Sequence, residues 1–260
     1  MSSRIRSIAI LELLTGHPWG LKMPEIASKL AIPLPATTRV LSSLVASGYI
    51  LGSLSGKEGA FRLSPKLPAL GLAFLGATGV TDLVQPILDD LAKKTGELVR
   101  LAIISGEKLT WVAESQGARS GLLYNPEAGK DVYLPASANG QAWLCCLSDD
   151  QIRRMMEHED FARPDVGPGA PRTIDALLDA ISCARERGFA SVRDSYTIGT
   201  SAMAVAIVRQ PGNVPIGTLS VAGPAMRLNE SRMREVFPWL SASARELAAS
   251  SASSPLFSMI

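Results

Sequence analysis

Between Leu21 and Arg62 the chain reads LKMPEIASKLAIPLPATTRVLSSLVASGYILGSLSGKEGAFR, and the placement of its prolines, apolar residues and glycines leaves few choices of local structure. Pro24 opens a helix where its missing N–H costs nothing, and Ile26, Ala27 and Leu30 then share one face over residues 24–30. Glu25 suits the positive end of the helix dipole. A break follows at Ala31-Ile32-Pro33, because the residue before a proline is pushed out of the α region. Pro35 can then start a second helix that carries Val40, Leu41, Leu44 and Val45 inward and is capped by Gly48. Beyond it, Tyr49-Ile50-Leu51 and Ala60-Phe61-Arg62-Leu63 predict two strands around a Gly/Ser/Lys turn whose tip carries Lys57.

The pattern predicts a winged helix-turn-helix. A further helix precedes it over Arg4 to Leu14, where the apolar residues keep helical spacing and stop at Gly16-His17-Pro18. The outer side of the second motif helix holds Thr37, Thr38, Arg39, Ser42 and Ser43, polar hydrogen-bonding groups of the kind that read a major groove, and Pro35 and Ala36 at its start are expected to face DNA with them. Lys57 and Arg62 in the wing are placed to meet phosphate. A helix-turn-helix that only packs against other elements is the competing reading. Charge separates the two: residues 1–66 hold eight Lys and Arg against three acids, whereas the remainder holds eighteen against twenty-one. A polyanion partner for the first part alone, double-stranded DNA, follows from that asymmetry.

These residues resemble the DNA-binding module of the IclR family of bacterial transcriptional regulators. The likeness rests on Glu25-Ile26-Ala27, Pro33, Arg39, Leu41, Leu44, Gly48-Tyr49-Ile50 and the run Phe61 to Gly71, FRLSPKLPALG. It continues in Leu91-Ala92, Thr95-Gly96-Glu97, Leu134 to Ala142 (LPASANGQA), Gly188-Phe189-Ala190 and Gly217 to Pro224 (GTLSVAGP), so it spans nearly the whole chain. Where such proteins usually open the recognition helix with Lys-Ser-Thr, this chain has Leu34-Pro35-Ala36, and Thr38 stands where a His commonly precedes the Arg. The resemblance implies a GAF-like second domain that binds a small organic effector, and a linker region taking part in dimer contacts.

At 260 residues, 47% of them hydrophobic, the chain is long enough for two modest domains. The expected division is a DNA-binding domain over 1–64, a linker helix over 65–79, an effector-binding domain over 80–249 and a loose Ser/Ala-rich tail over 250–260. The second domain reads as α+β: a helix from Thr81-Asp82 to Lys94 with Leu83, Ile87, Leu88 and Leu91 inward, then a hairpin over 98–104 and 109–113. A strand is expected over Ser120 to Tyr124, helices over 139–147, 149–158 and 174–187, and strands over 189–193, 202–208 and 216–221. A final helix, Asn229 to Ala249, should bend or break near Pro238. No run reaches the eighteen or so apolar residues of a membrane span, so a cytoplasmic protein is expected.

An enzyme needs a nucleophile, an acid–base pair or a metal, and the chain offers no GxSxG, GxGxxG, Walker or HExxH motif. Its two histidines and its three cysteines, Cys145, Cys146 and Cys183, lack the spacing of a triad or a zinc site. No cofactor, no metal and no catalysis are therefore expected. A small-molecule-binding enzyme or a protein-interaction adaptor carrying the winged module remain the alternatives. A pocket is better supported: Ser137, Ala138, Asn139 and Gly140 precede an apolar helix whose first N–H groups can hold an anionic or carbonyl oxygen. Opposite it the resemblance implies Ser201, Ala202, Ser220 and Ala222. Relatives that bind small oxo-acids often have an acid in the strand leading to Gly199, a Cys near Ala202, Ser at both 220 and 222, and Lys at the place of Gln141. Only Ser220 is kept. The loss of polarity, with Trp111, Tyr124 and Trp143 as aromatic walls or plain core, points to a bulkier or aromatic effector. A single winged helix offers little area, so a homodimer or homotetramer is expected.

Overall fold

The structure is a computed structural model, and it describes residues 3–52, 59–119 and 132–258. The expected strand over 120–124, the aromatic Tyr124 and the wing-tip Lys57 lie outside the described residues. The chain divides into two compact units, Met1–Phe74 and Leu75–Ile260.

The first unit contains α1 (Ser3–Thr15), α2 (Met23–Lys29), α3 (Leu34–Ala46), β1 (Ile50–Leu51) and β2 (Arg62–Leu63). Ile10, Leu14, Ile26, Val40, Leu41, Leu44, Ile50 and Phe61 close one core, as the 3.6-residue spacing requires. Val45 is only half-buried at its edge. Glu25 accepts the Lys22 backbone N–H at 2.7 Å, fastening the start of α2. The α2–α3 turn passes through Ala31 at φ +50°, and the amides of Ala31 and Ile32 return to the carbonyls of Ser28 and Ala27. Gly48, at φ +74°, ends α3 in the left-handed conformation. The strands pair antiparallel, Ile50 with Leu63 and Leu51 with Arg62, and Phe61 also bridges Leu21, a third segment that alternation alone does not reveal.

α4 (Lys66–Ala77) crosses the division and has no buried residue. Leu70, Leu72 and Phe74 on it are 48%, 70% and 47% exposed. A π-helical turn, Val80–Val84, leads into α5 (Gln85–Thr95), which Gly96 closes at φ +73°. Because of that turn Val80 and Val84 point into the core and Leu83, expected inward, is 38% exposed.

The second unit is built on five antiparallel strands in the order β4-β3-β7-β6-β5: β3 (Leu98–Ser105), β4 (Lys108–Gln116), β5 (Ala190–Arg193), β6 (Thr200–Arg209) and β7 (Val214–Pro224). Alternation assigns the faces. Val99, Leu101, Ile103, Met203, Val205, Ile207, Leu219 and Val221 pack beneath α5 and α9 (Glu230–Ser250). Ala102, Ile104 and Ala204 face α6 (Ala138–Leu144), α7 (Asp149–Met155) and α8 (Ile174–Arg187). This is the expected α+β sheet. α9 continues through Pro238 as a single helix. The tail is not loose over its described length: residues 251–258 form two 3-10 turns, Phe257 and Ser251 are fully buried, and the Ser254 hydroxyl donates to the Thr78 carbonyl. One aromatic ring with an apolar place to go is enough to dock a short polar tail. No single helix among the described residues is long and apolar enough to cross a membrane.

Candidate functional site

Two places in the molecule carry candidate chemistry. On α3 the helical period sorts the expected DNA-facing residues into two groups. Pro35, Arg39 and Ser43 are exposed, and Thr38 and Ser42 are half-exposed beside them. Ala36 and Thr37 are not on that side: Ala36 is 9% exposed and Thr37 fully buried, its hydroxyl 3.4 Å from the Ile32 carbonyl and 3.3 Å from that of Pro33. They sit one turn before Val40 and Leu41, so the arc that buries those two buries them as well. Two side chains assigned to DNA from their chemistry alone thus belong to the core. Leu34, 47% exposed, stands at the first turn in their place.

Two of the hydroxyls that remain outside already spend their hydrogens. Thr38 donates to the Leu34 carbonyl at 2.9 Å and Ser42 to that of Thr38 at 2.9 Å. Each retains lone pairs and can still accept a hydrogen bond. Arg39 brings the opposite capability, a fork of donors on the same face. Arg62 is exposed on β2.

The second place is a small cavity between the sheet and the start of α6, about 30 Å³ in volume. It is lined by Arg100, Trp111, Ser137, Asn139, Val192, Tyr196, Thr200, Ala202, Ser220 and Ala222. The strand registers bring them together: Arg100 lies opposite Ser220, Ala222 opposite Ala202, and Ala202 opposite Val192. Five expected residues, Ser137, Asn139, Ala202, Ser220 and Ala222, are in this lining. The other three are elsewhere. Ser201 is one residue out of phase on β6 and buried on the opposite face. Ala138 packs with Ala142, Ala184, Ala190 and Ala204. Gly140 answers a need for space: a Cβ there would come within 2.3 Å of the Leu134 backbone.

Around the cavity the polar groups are mutually fastened. Ser137 accepts the Gly140 N–H at 3.0 Å as the cap of α6, and Asn139 donates from Nδ2 to Thr218 Oγ1 at 2.9 Å. Ser195 donates to the Ala136 carbonyl at 2.8 Å, tying the loop after β5 to the segment before α6. Of the proposed aromatic walls, Trp111 lines the cavity, while Trp143 is 4% exposed in the core beneath α7 and α8. Periodicity could have found Thr200, two residues before Ala202, and Arg100 is signalled by being the one charge in the apolar run LVRLAIIS.

Two other features bear on chemistry. Desolvation raises the thiol pKa of half-buried Cys145, and desolvation together with the neighbouring Cys145 thiol raises that of Cys146, exposed though it is, to about 11. Among the described residues no group of three or more His, Cys, Asp or Glu is placed to hold a metal.

Comparison with known proteins bears on both places. Residues 5–51 match the family model described as the IclR helix-turn-helix domain, and residues 72–249 match that described as the bacterial transcriptional regulator IclR C-terminal domain. The chain is 27% identical over 243 residues, 93% of its length and 84% of the relative's, to the HTH-type transcriptional regulator BhcR of Paracoccus denitrificans. Among solved structures it is similar to an IclR transcriptional regulator from Alicyclobacillus acidocaldarius, with TM-score 0.81 at 20% identity over 95% of this chain and 97% of that one. It is also similar to an IclR homologue from Microbacterium hydrocarbonoxydans complexed with 4-hydroxybenzoate, with TM-score 0.73 at 19% identity over 97% and 100% of the two chains.

Proposed function

The chain belongs to the IclR family of bacterial transcriptional regulators, and from that premise we propose that α3 reads an operator half-site while the cavity beside α6 holds the small organic effector that controls binding. The observation that carries the first part is the division of α3 into a buried apolar arc and an outer arc of Pro35, Thr38, Arg39, Ser42 and Ser43, within a unit rich in basic residues. Arg39 takes a base edge or phosphate, Thr38 and Ser42 accept from base amino groups, and Arg62 meets the backbone. Leu34 supplies an apolar contact of the kind a thymine methyl accepts.

For the second part, support comes from the enclosed polar and aromatic lining, and from the neighbour of the same fold that holds 4-hydroxybenzoate. A volume of about 30 Å³ admits little more than a water, so an organic effector must displace part of the wall, and that displacement is the means by which binding becomes a signal. The exposed apolar residues of α4 need a partner surface, which a second copy of the chain supplies in a homodimer or homotetramer. The protein then acts in the cytoplasm, where its operator is.

The test is to incubate the purified chain with fragments of the DNA flanking its gene, recover what it holds, and measure retention against salt and added metabolites. One fragment should be held with an affinity that falls steeply as salt rises, and a metabolite should change it. Failure to hold any duplex at low salt would remove the regulator reading.

A further inference from the structure

The sheet of the second unit is left open along part of one side. β5 pairs with β6 over Ser201 to Ala204 only, whereas β7 accompanies β6 as far as Arg209. Residues 205–209 of β6 therefore have a strand on one side alone, and their other side offers backbone N–H and C=O groups to whatever lies there. What lies there is a groove of about 550 Å³, lined from β6 by Ala204, Val205, Ala206 and Val208. One wall is a stripe of α9 from Phe237 through Ala244 to Ala248, and the other is formed by the ends of α6 and α8 around Ala142, Ala184 and Arg185. The open run of β6 is about 17 Å long, and the stripe on α9 is of about the same length.

The charge of the groove is one-sided. Arg185 and Arg245 line it, and none of the lining residues is Asp or Glu. Arg185 is engaged, pairing with Asp149 at 2.8 Å and donating to the Cys145 carbonyl at 3.3 Å. Arg245 is exposed, and its neighbours one turn away on α9, Ser241, Ala242, Ala248 and Ala249, carry no charge. No ion pair reaches it among the described residues. We propose that this groove takes an extended peptide of a partner protein, which adds to β6 as a further strand, lays small apolar side chains against both walls and sets a carboxylate against Arg245. A hydrocarbon ligand would leave the edge groups of β6 dry and unpaired, at a cost of about 1–3 kcal/mol each, whereas a peptide backbone pairs with them. A second copy cannot pair edge to edge here, because its own β6 lies between the same two walls. Side chains of an added strand point alternately to the two sides, so one set meets Ala244 and Ala248 and the other Ala142 and Ala184. These walls leave room for alanine- and valine-sized groups and offer them no polar partner. A regulator with such a groove can take a protein signal besides a small molecule.

The test selects short peptides from a random display library on the purified full chain and measures the selected sequences, as synthetic peptides, by fluorescence anisotropy. They should share a run of small apolar residues with a carboxylate toward one end. Methylating every second backbone nitrogen separates strand addition from other modes of binding. In one phase the methyl groups face β6 and affinity should fall by about tenfold or more, while in the other they face away and affinity should persist. Arg245→Glu changes an exposed side chain, and should weaken binding by about fivefold at low salt and by less at high salt. Ala206→Phe fills the groove and should abolish binding, with folding checked by circular dichroism. A library that yields no binder, peptides that respond alike to methylation in both phases, or affinity unchanged by either substitution would each overturn the proposal. So would binding of dodecanoate, or a self-association that Ala206→Phe removes, where no peptide binds: the groove would then be a lipid cavity or a contact between copies.

Discussion

The outer arc of α3 and the cavity beside α6 are the two proposed recognition surfaces, and they are made in different ways. On α3 every participant comes from one helix of thirteen residues, and a single period decides which side chains face out. The cavity draws on β3, β4, β5, β6, β7 and the segments before and after, so residues as far apart as Arg100 and Ser220 become neighbours only when the sheet forms. A surface on one element tolerates change outside its own arc. An assembled one depends on every close approach that holds its walls in place, which makes the largest predicted effect a structural one. Gly140→Ala puts a methyl group 2.3 Å from the Leu134 backbone, which cannot rotate away, and should destabilise the second unit by about 3 kcal/mol. Calorimetric unfolding of the full chain checks it, and a transition unchanged from the native protein would mean that the wall is less constrained than the assembled picture requires.

Arg39→Ala tests the other side of the comparison. Arg39 is exposed and belongs to one helix, so its removal should weaken operator binding by about 1–3 kcal/mol and leave the unfolding transition in place. A gel-shift titration with unchanged affinity would discard the assignment.

The same contrast explains what the sequence makes legible. The helix-turn-helix, the two strands that flank the wing turn and, among the described residues, the order of helices and strands are local patterns, written in Pro24, Pro33, Pro35, Gly48 and the apolar spacing, and they are found where those residues place them. On α3 side-chain chemistry misleads where phase does not: Thr37 is polar, yet it lies on the arc of Val40 and Leu41. In the cavity, pattern alone picks out the loop before α6 but not the wall opposite it. Ser201 is displaced from that wall by a single step along β6, and Arg100 looks like an oddity in an apolar strand until Ser220 and Trp111 are seen beside it. Phase within a strand is readable, but register between strands is not. The docked tail is a further case, since nothing local to Phe257 shows that an apolar place awaits it.

Thr37 itself gives the next prediction. Among the described residues its hydroxyl is held by two long bonds to carbonyls, so Thr37→Val, nearly the same shape, should cost about 1 kcal/mol of stability and leave the operator sequence preference unaltered. Selection of bound sequences from a randomised duplex pool checks it. A shift in the preferred bases would return Thr37 to the DNA-facing arc and weaken the claim that phase governs this helix.

The smallest effect is expected where the two units treat glycine in opposite ways. At Gly140 a glycine is present because there is no space for anything larger. At Ala31 one is missing where the backbone asks for it: φ is +50° in the α2–α3 turn, a conformation in which the alanine Cβ crowds the following carbonyl. Ala31 is exposed, so nothing but the backbone opposes the change. Ala31→Gly relieves that crowding but also gives the unfolded chain more freedom, and the first term is the larger at a left-handed position. The net gain should be about 0.5 kcal/mol, confined to the first unit, and hydrogen exchange at the amides of α2 and α3 should slow by about twofold while that of α6 stays the same. Faster exchange in α2 and α3 would show that the turn is held by its returning hydrogen bonds to Ala27 and Ser28 so firmly that the strain in Ala31 is immaterial.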